Sequence, residues 1–206
     1  MADRITIVGG GLVGALLGTV LAKRGMDVHI FERRPDMRAS TMSAGRSINL
    51  AMSDRGLRAL EVAGIADDIR AISIPMHGRV MHDVQGNQTY QPYGREGEFI
   101  NSVSRGELNK TLLTVAERHG VKVTFEARCT DINFQTGSST FVLPSGETIV
   151  SEADVVFGAD GAYSAVRGRM QMVDRFNYSQ TYLEHGYKEL HIPADATGAF
   201  QLEKHA

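Results

Sequence analysis

The chain has 206 residues, 42% of them apolar and 22% charged, an ordinary balance for a globular chain able to bury a core. Its 22 Lys and Arg stand against 24 Asp and Glu, a formal net charge of −2, and no basic block or aromatic-interleaved basic stripe recommends nucleic acid as a partner. A single cysteine, Cys129, excludes an internal disulfide framework and fits a reducing cytoplasm, while the seven histidines are scattered without metal-ligand spacing.

The first feature is "ITIVGGGLVGALLGTVLAKRG", residues 5–25. Its apolar run approaches the length of a membrane span. However, Gly9, Gly10, Gly11 and Gly14 interrupt it where a spanning helix needs continuous apolar cover. A secretory signal fits no better, because the leader "MADR" carries Asp3 as well as Arg4 and no small-residue cleavage site follows. No membrane segment is expected.

The same stretch reads fully as a βαβ unit. Ile5 to Val8 form a β-branched run suited to a buried parallel strand, Leu16, Leu17, Val20 and Leu21 recur at helical spacing, and Val28 to Phe31 make a second strand after Gly25. At the strand-to-helix turn lies Gly9-x-Gly11-x-x-Gly14. The first glycine permits the tight turn, the second lets backbone approach a pyrophosphate, and the third lets helix and strand pack closely. The helix N-terminus then offers free N–H groups to the phosphates. Glu32, at the end of the second strand, stands where an acid accepts hydrogen bonds from an adenosine ribose. Arg33 and Arg34 follow it, but a carboxylate at the ribose position would repel the 2′-phosphate of NADP. FAD and NAD remain, and their shared ADP half leaves this unit unable to choose.

Residues 33–53 look like a connection covering the cofactor site. Ser53 then offers an N-cap to a short helix closed near Gly64. From His77 to Tyr93 two strand candidates flank Gln85-Gly86-Asn87, a hairpin outside the parallel sheet and a suitable start for a substrate-covering insertion. Ser104 and Glu107 form a capping box before a helix whose buried face is Leu108, Leu112, Val115 and Ala116 and whose end is Gly120. Val121 to Phe125 give a third parallel strand, and residues 128–151 a small meander. Val155 to Phe157 read as a buried strand, Gly158-Ala159-Asp160-Gly161 as a tight turn at its carboxyl end, and Ser164 onward as a helix. Ligands of open parallel sheets lie beyond the carboxyl ends of strands, so this turn can reach the same ligand as the first. The fold class is therefore α/β, a Rossmann-like domain with a parallel sheet plus inserted antiparallel strands. Its boundaries are expected at 1–73 and 99–174, with 74–98 and 175–206 beginning a second, β-sheet domain.

Taken together, Gly9-x-Gly11-x-x-Gly14, Glu32-Arg33 and Gly158-Ala159-Asp160-Gly161-x-x-Ser164-x-x-Arg167 resemble the flavoprotein aromatic hydroxylases. More locally, "GRSINLA" at 45–51, "GRVMH" at 78–82, "QPYG" at 91–94, "SVSRGELN" at 102–109 and "HGYKEL" at 185–190 look like the kynurenine-hydroxylating members. The resemblance implies FAD as the bound cofactor. It also implies that NADPH reduces the flavin, that the reduced flavin reacts with dioxygen, and that L-kynurenine is hydroxylated at its 3-position. Flavin would carry the chemistry, so no catalytic triad or acid–base dyad is expected.

By the same resemblance Gly9, Gly11, Val13 and Gly14 cradle the pyrophosphate and Glu32 holds the ribose with Arg33 beside it. Ala51, Arg105, Arg46, Cys129 and Ala165 are expected to line the FAD site, Cys129 and Ala165 through backbone, and Asp160 marks the second motif. Arg79 and Tyr93 match the pair that holds the amino-acid carboxylate of the substrate, as a guanidinium fork and a phenol are able to do. Members of this family continue into a Gly-Asp motif, a flavin-facing loop and further substrate contacts that these 206 residues do not contain. The last segment is expected to begin a sheet whose unpaired edge invites dimerisation. Two other readings stand beside this one: a catalytically silent FAD- or ADP-binding module, and an NAD-dependent dehydrogenase, disfavoured because no acid–base constellation accompanies the glycines.

Overall fold

The computed structural model describes residues 3–39, 49–186 and 192–202. In chain order the elements are β1 (Arg4–Val8), α1 (Leu12–Ala22), β2 (Asp27–Phe31), β3 (Asn49–Met52), α2 (Asp54–Ala63), α3 (Ala66–Arg70), β4 (Ile74–Met76), β5 (Gly78–His82) and β6 (Gln88–Pro92). They continue with β7 (Ile100–Ser104), α4 (Arg105–Arg118), β8 (Lys122–Thr124), β9 (Arg128–Asn133), β10 (Ser138–Val142), β11 (Thr148–Glu152), β12 (Val155–Gly158) and α5 (Ala165–Met170). They divide into two compact units, one of Met1–Gly45 with Leu108–Thr181 and one of Arg46–Glu107 with Tyr182–Ala206. Residues 49–73 and 99–107, read above with the first domain, thus fall in the second unit, and 175–181, read with the second domain, fall in the first.

In the first unit four parallel strands run in the order β12-β1-β2-β8. Side chains alternate across a strand, and here each face meets a different layer. Ile5, Ile7, Val28 and Ile30 point to one side and join Leu21 of α1 and Ala116 of α4 in one core. Val8 and Phe31 point to the other, where Ile132, Phe141 and Val166 meet them, and Phe31 stacks on Phe141 at 3.9 Å. An antiparallel meander, β11-β10-β9, supplies that second cover. Burial on both faces is why the first two strands read as near-continuous apolar runs.

Val155 to Phe157, expected as a buried strand, form instead an edge of the sheet, with Val155 43% exposed. Apolar composition alone does not distinguish the middle of a sheet from its rim.

The second unit has an antiparallel sheet in the order β3-β7-β4 and a separate hairpin, β5-β6. The hairpin turn falls at the expected residues: Asp83 Oδ1 accepts the Gln85 and Asn87 N–H groups, and Gly86 adopts φ +86°. Gly64 closes α2 in the left-handed conformation as expected, while Ser53 occupies the N-cap position without a side-chain bond. Glu107 N–H lies 3.5 Å from Ser104 Oγ at the start of α4. The expected sheet in the last segment does not form among the described residues: 175–186 and 192–202 hold only turns and bends. There Asp195 collects the Thr197 and Ala199 N–H groups into a local polar turn, which competes with strand pairing.

Candidate functional site

The end of β1 sets the first site. Gly9 donates its N–H to the Phe31 carbonyl at 2.8 Å and adopts φ +104°, which other residues reach only under strain. A Cβ there would stand 2.6 Å from the Ala159 carbonyl oxygen, so the turns after β1 and β12 touch and Gly9 has no room for a side chain. A Cβ on Gly14 would meet the Gly9 carbonyl oxygen at 1.9 Å. Gly11 differs, because its missing side chain faces open space. It is also the N-cap of α1, which has no side-chain cap and no acidic residue in its first turn. An uncapped N-terminus with an open approach has the geometry of an anion cradle. Val13, 68% exposed, stands on that turn.

Glu32 is 5% exposed and accepts three hydrogen bonds: from Gly10 N–H at 2.7 Å, and from Arg34 N–H and Nε at 2.9 and 2.8 Å. Burial works against its ionisation, yet Arg34's side-chain bond, backbone N–H and charge, with Gly10's N–H, outweigh it and hold the carboxyl below its usual range. A carboxylate offers about four acceptor positions, so one remains for a ligand hydroxyl. Arg33 beside it is exposed.

Asn109 is a site residue that the sequence reading did not single out. It is 5% exposed, and its Nδ2 donates to the Gly10 carbonyl at 3.3 Å, so Gly10 is held through its N–H by Glu32 and through its carbonyl by α4. Among the described residues its buried Oδ1 has no hydrogen-bond partner. The signal was present: position 109 shares the helix face of Leu112 and Ala116, and a polar residue on an apolar stripe needs a reason.

At the second turn both Asp160 oxygens are engaged by the next helix. Oδ1 accepts Ser164 Oγ–H at 2.6 Å and Oδ2 accepts Ala165 N–H at 2.6 Å, while Ser164 Oγ caps Arg167 N–H. Cys129 is buried nearby, and burial, then the Asp160 charge, push its thiol up to about 11, so it stays protonated.

In the second unit Ala51 is an exposed residue of β3 opposite Ser102, and Arg105 is the exposed first residue of α4. Arg46 lies outside the described residues, as do parts of the 45–51 and 185–190 stretches. Arg79 on β5 and Tyr93, just past β6, line one cavity of about 490 Å³ together with Val80, His82, Phe200 and Leu202. Arg79 Nε and Nη2 both donate to Gln91 Oε1, at 2.9 and 2.6 Å.

Residues 3–196 match the family described as an FAD binding domain. The chain belongs to that family. As an FAD binding domain it is 49% identical over 207 residues to a kynurenine 3-monooxygenase of Myxococcus xanthus, covering 99% of this chain and 45% of the relative. A protein of the same name from Sus scrofa is 42% identical over 200 residues, covering 97% of this chain and 42% of the relative. The domain thus spans under half the length of these curated relatives. Among solved structures, 2-methyl-3-hydroxypyridine-5-carboxylic acid oxygenase superposes with a TM-score of 0.66 at 26% identity over 82% of this chain and 42% of its own. The flavin-dependent monooxygenase PieE, solved with FAD and substrate, gives 0.69 at 18% identity over 83% and 32%, a likeness of fold alone.

The choice between FAD and NAD therefore falls to FAD, and the residues present fit it. The open side of Gly11 and the uncapped start of α1 suit a pyrophosphate, and Glu32 keeps an acceptor position for a ribose hydroxyl. Among the described residues no helix is long and apolar enough to cross a membrane.

Proposed function

We propose that this chain carries the FAD site and part of the substrate site of a flavin-dependent aromatic hydroxylase that converts L-kynurenine to 3-hydroxykynurenine with NADPH and dioxygen. The observation that supports it most is that Arg79 and Tyr93 line one cavity, because these are the two residues that the family resemblance assigns to the kynurenine carboxylate. Bound FAD supplies the redox and oxygen chemistry. The protein's own part is then recognition. The turn after β1 receives the pyrophosphate, Glu32 the ribose, and Arg79 and Tyr93 the amino-acid carboxylate. The first unit is the cofactor domain in this reading and the second the start of the substrate domain, and the lone buried Cys129 supports a cytoplasmic setting.

The test is a visible absorption spectrum of the purified chain after incubation with FAD and desalting, followed by NADPH oxidation with and without L-kynurenine. Retained flavin is expected, and kynurenine-stimulated oxidation on top of it would show that these residues alone hold a working site. Retained flavin without stimulation would reduce the chain to a silent binding module. Arg79→Met is expected to abolish kynurenine binding while FAD is still retained, and equal loss of both would overturn the assignment of Arg79.

A further inference from the structure

Arg79 and Gln91 are direct cross-strand partners in the β5-β6 hairpin, so their side chains leave the same face. A guanidinium has two edges able to grip an acceptor pair: one made by Nε and Nη2, the other by Nη1 and Nη2. The single Oε1 of Gln91 takes both donors of the first edge, at 2.9 and 2.6 Å. Those are the only partners of Arg79 among the described residues, and none is a carboxylate. Its charge is therefore oriented but not neutralised, and the Nη1 edge is left to a ligand. Tyr93, two residues beyond Gln91, lines the same cavity.

We propose that Gln91 is a positioning residue for the substrate carboxylate: it locks the inner edge of Arg79 with a neutral oxygen so that the outer edge meets the carboxylate already aligned. The inference rests on the substrate reading of Arg79. An amide suits this task where an acid would not. Replacing the amide by a carboxylate would keep the hydrogen bonds but close an ion pair within the hairpin, placing an internal competitor where the ligand's charge must act. Loss of the side chain would instead leave a long, rotamer-rich Arg79 to be ordered at the moment of binding.

The experiment is calorimetric titration of wild type, Gln91→Ala, Gln91→Glu and Arg79→Met with L-kynurenine and with its decarboxylated amine. Gln91→Glu is expected to weaken kynurenine by about tenfold or more, since one charge-assisted contact is of that order. Gln91→Ala should weaken it less, and the amine should be held within about threefold of wild type by both variants. A residue that merely supports the hairpin would affect the two ligands alike. Equal weakening of both, or unchanged kynurenine binding in both Gln91 variants while Arg79→Met loses it, overturns the role of Gln91. Kynurenine binding that survives Arg79→Met, or that wild type lacks altogether, overturns the substrate reading itself.

Discussion

Gly14 has no space for one methyl group, since its Cβ would lie 1.9 Å from the Gly9 carbonyl oxygen and 3.3 Å from Ile7 Cγ2. Backbone, not a flexible side chain, blocks it. Gly14→Ala is therefore expected to push α1 off β1, costing about 1–3 kcal/mol as overpacking does, and to lose flavin on desalting. Thermal melting and the retained-flavin spectrum would read the two effects. Gly11→Ala, facing open space, is expected to keep its melting temperature.

Two titrating groups on or beside β2 act in the same direction. His29, stacked on Phe31 at 4.1 Å and bonded to Thr124 Oγ1 at 2.8 Å, titrates below its usual 6.5, first because it is buried and then because Lys122 lies near. Glu32 titrates below its usual 4.5. In both cases the unfolded chain binds the proton more readily, so stability is full above those ordinary values and falls with acidification. The loss begins below about pH 6.5 for His29 and below about pH 4.5 for Glu32. Melting temperature measured from pH 8 to 3 should decline in two stages, and His29→Gln should remove the first.

Among the elements, α5 depends on a cap that the sequence only partly disclosed. Ser164 is legible as its start, whereas the sequence marks Asp160 only as part of the second motif and does not announce that its carboxylate accepts Ser164 Oγ–H and the Ala165 N–H. Asp160→Ala is expected to cost about 1–2 kcal/mol through lost capping. Any fall in FAD affinity beyond that loss would reveal a direct contact, which melting and flavin titration on one sample would separate. The βαβ unit was legible in full because every signal in it is local: β-branched runs, glycines, helical spacing, an acid at the strand end. The three-stranded sheet of the second unit was not. "NLAM" pairs with "NSVS" across a long sequence separation, Asn101 and Val103 being buried together, and nothing in either segment announces the other. Such strands are specified by their neighbours more than by propensity. Asn109 escaped for the same reason, its partner Gly10 being 99 residues away.

At the scale of the whole molecule, protection is uneven. Ile7 and Ile30 are fully buried at the centre of the parallel sheet, whereas residues 171–186 are nearly all exposed and held by turns. Backbone amides of β1 and β2 are expected to exchange slowest with solvent deuterium and those of 174–186 fastest, by several orders of magnitude. Uniform exchange across both would mean that the sheet opens as readily as its surroundings.

The contact between Gly9 and Ala159 also carries a consequence for synthesis. The two turns of the cradle are the ends of β1 and β12, strands whose pairing spans about 150 residues, as the Arg4–Asp154 bond shows. At roughly 5–20 residues per second, a ribosome finishes the second turn about 8 to 30 seconds after the first. The glycine motif, translated before its partner turn, must therefore wait beside an unfilled position in its sheet, and flavin capture belongs after translation of the second turn, however early the fingerprint itself emerges.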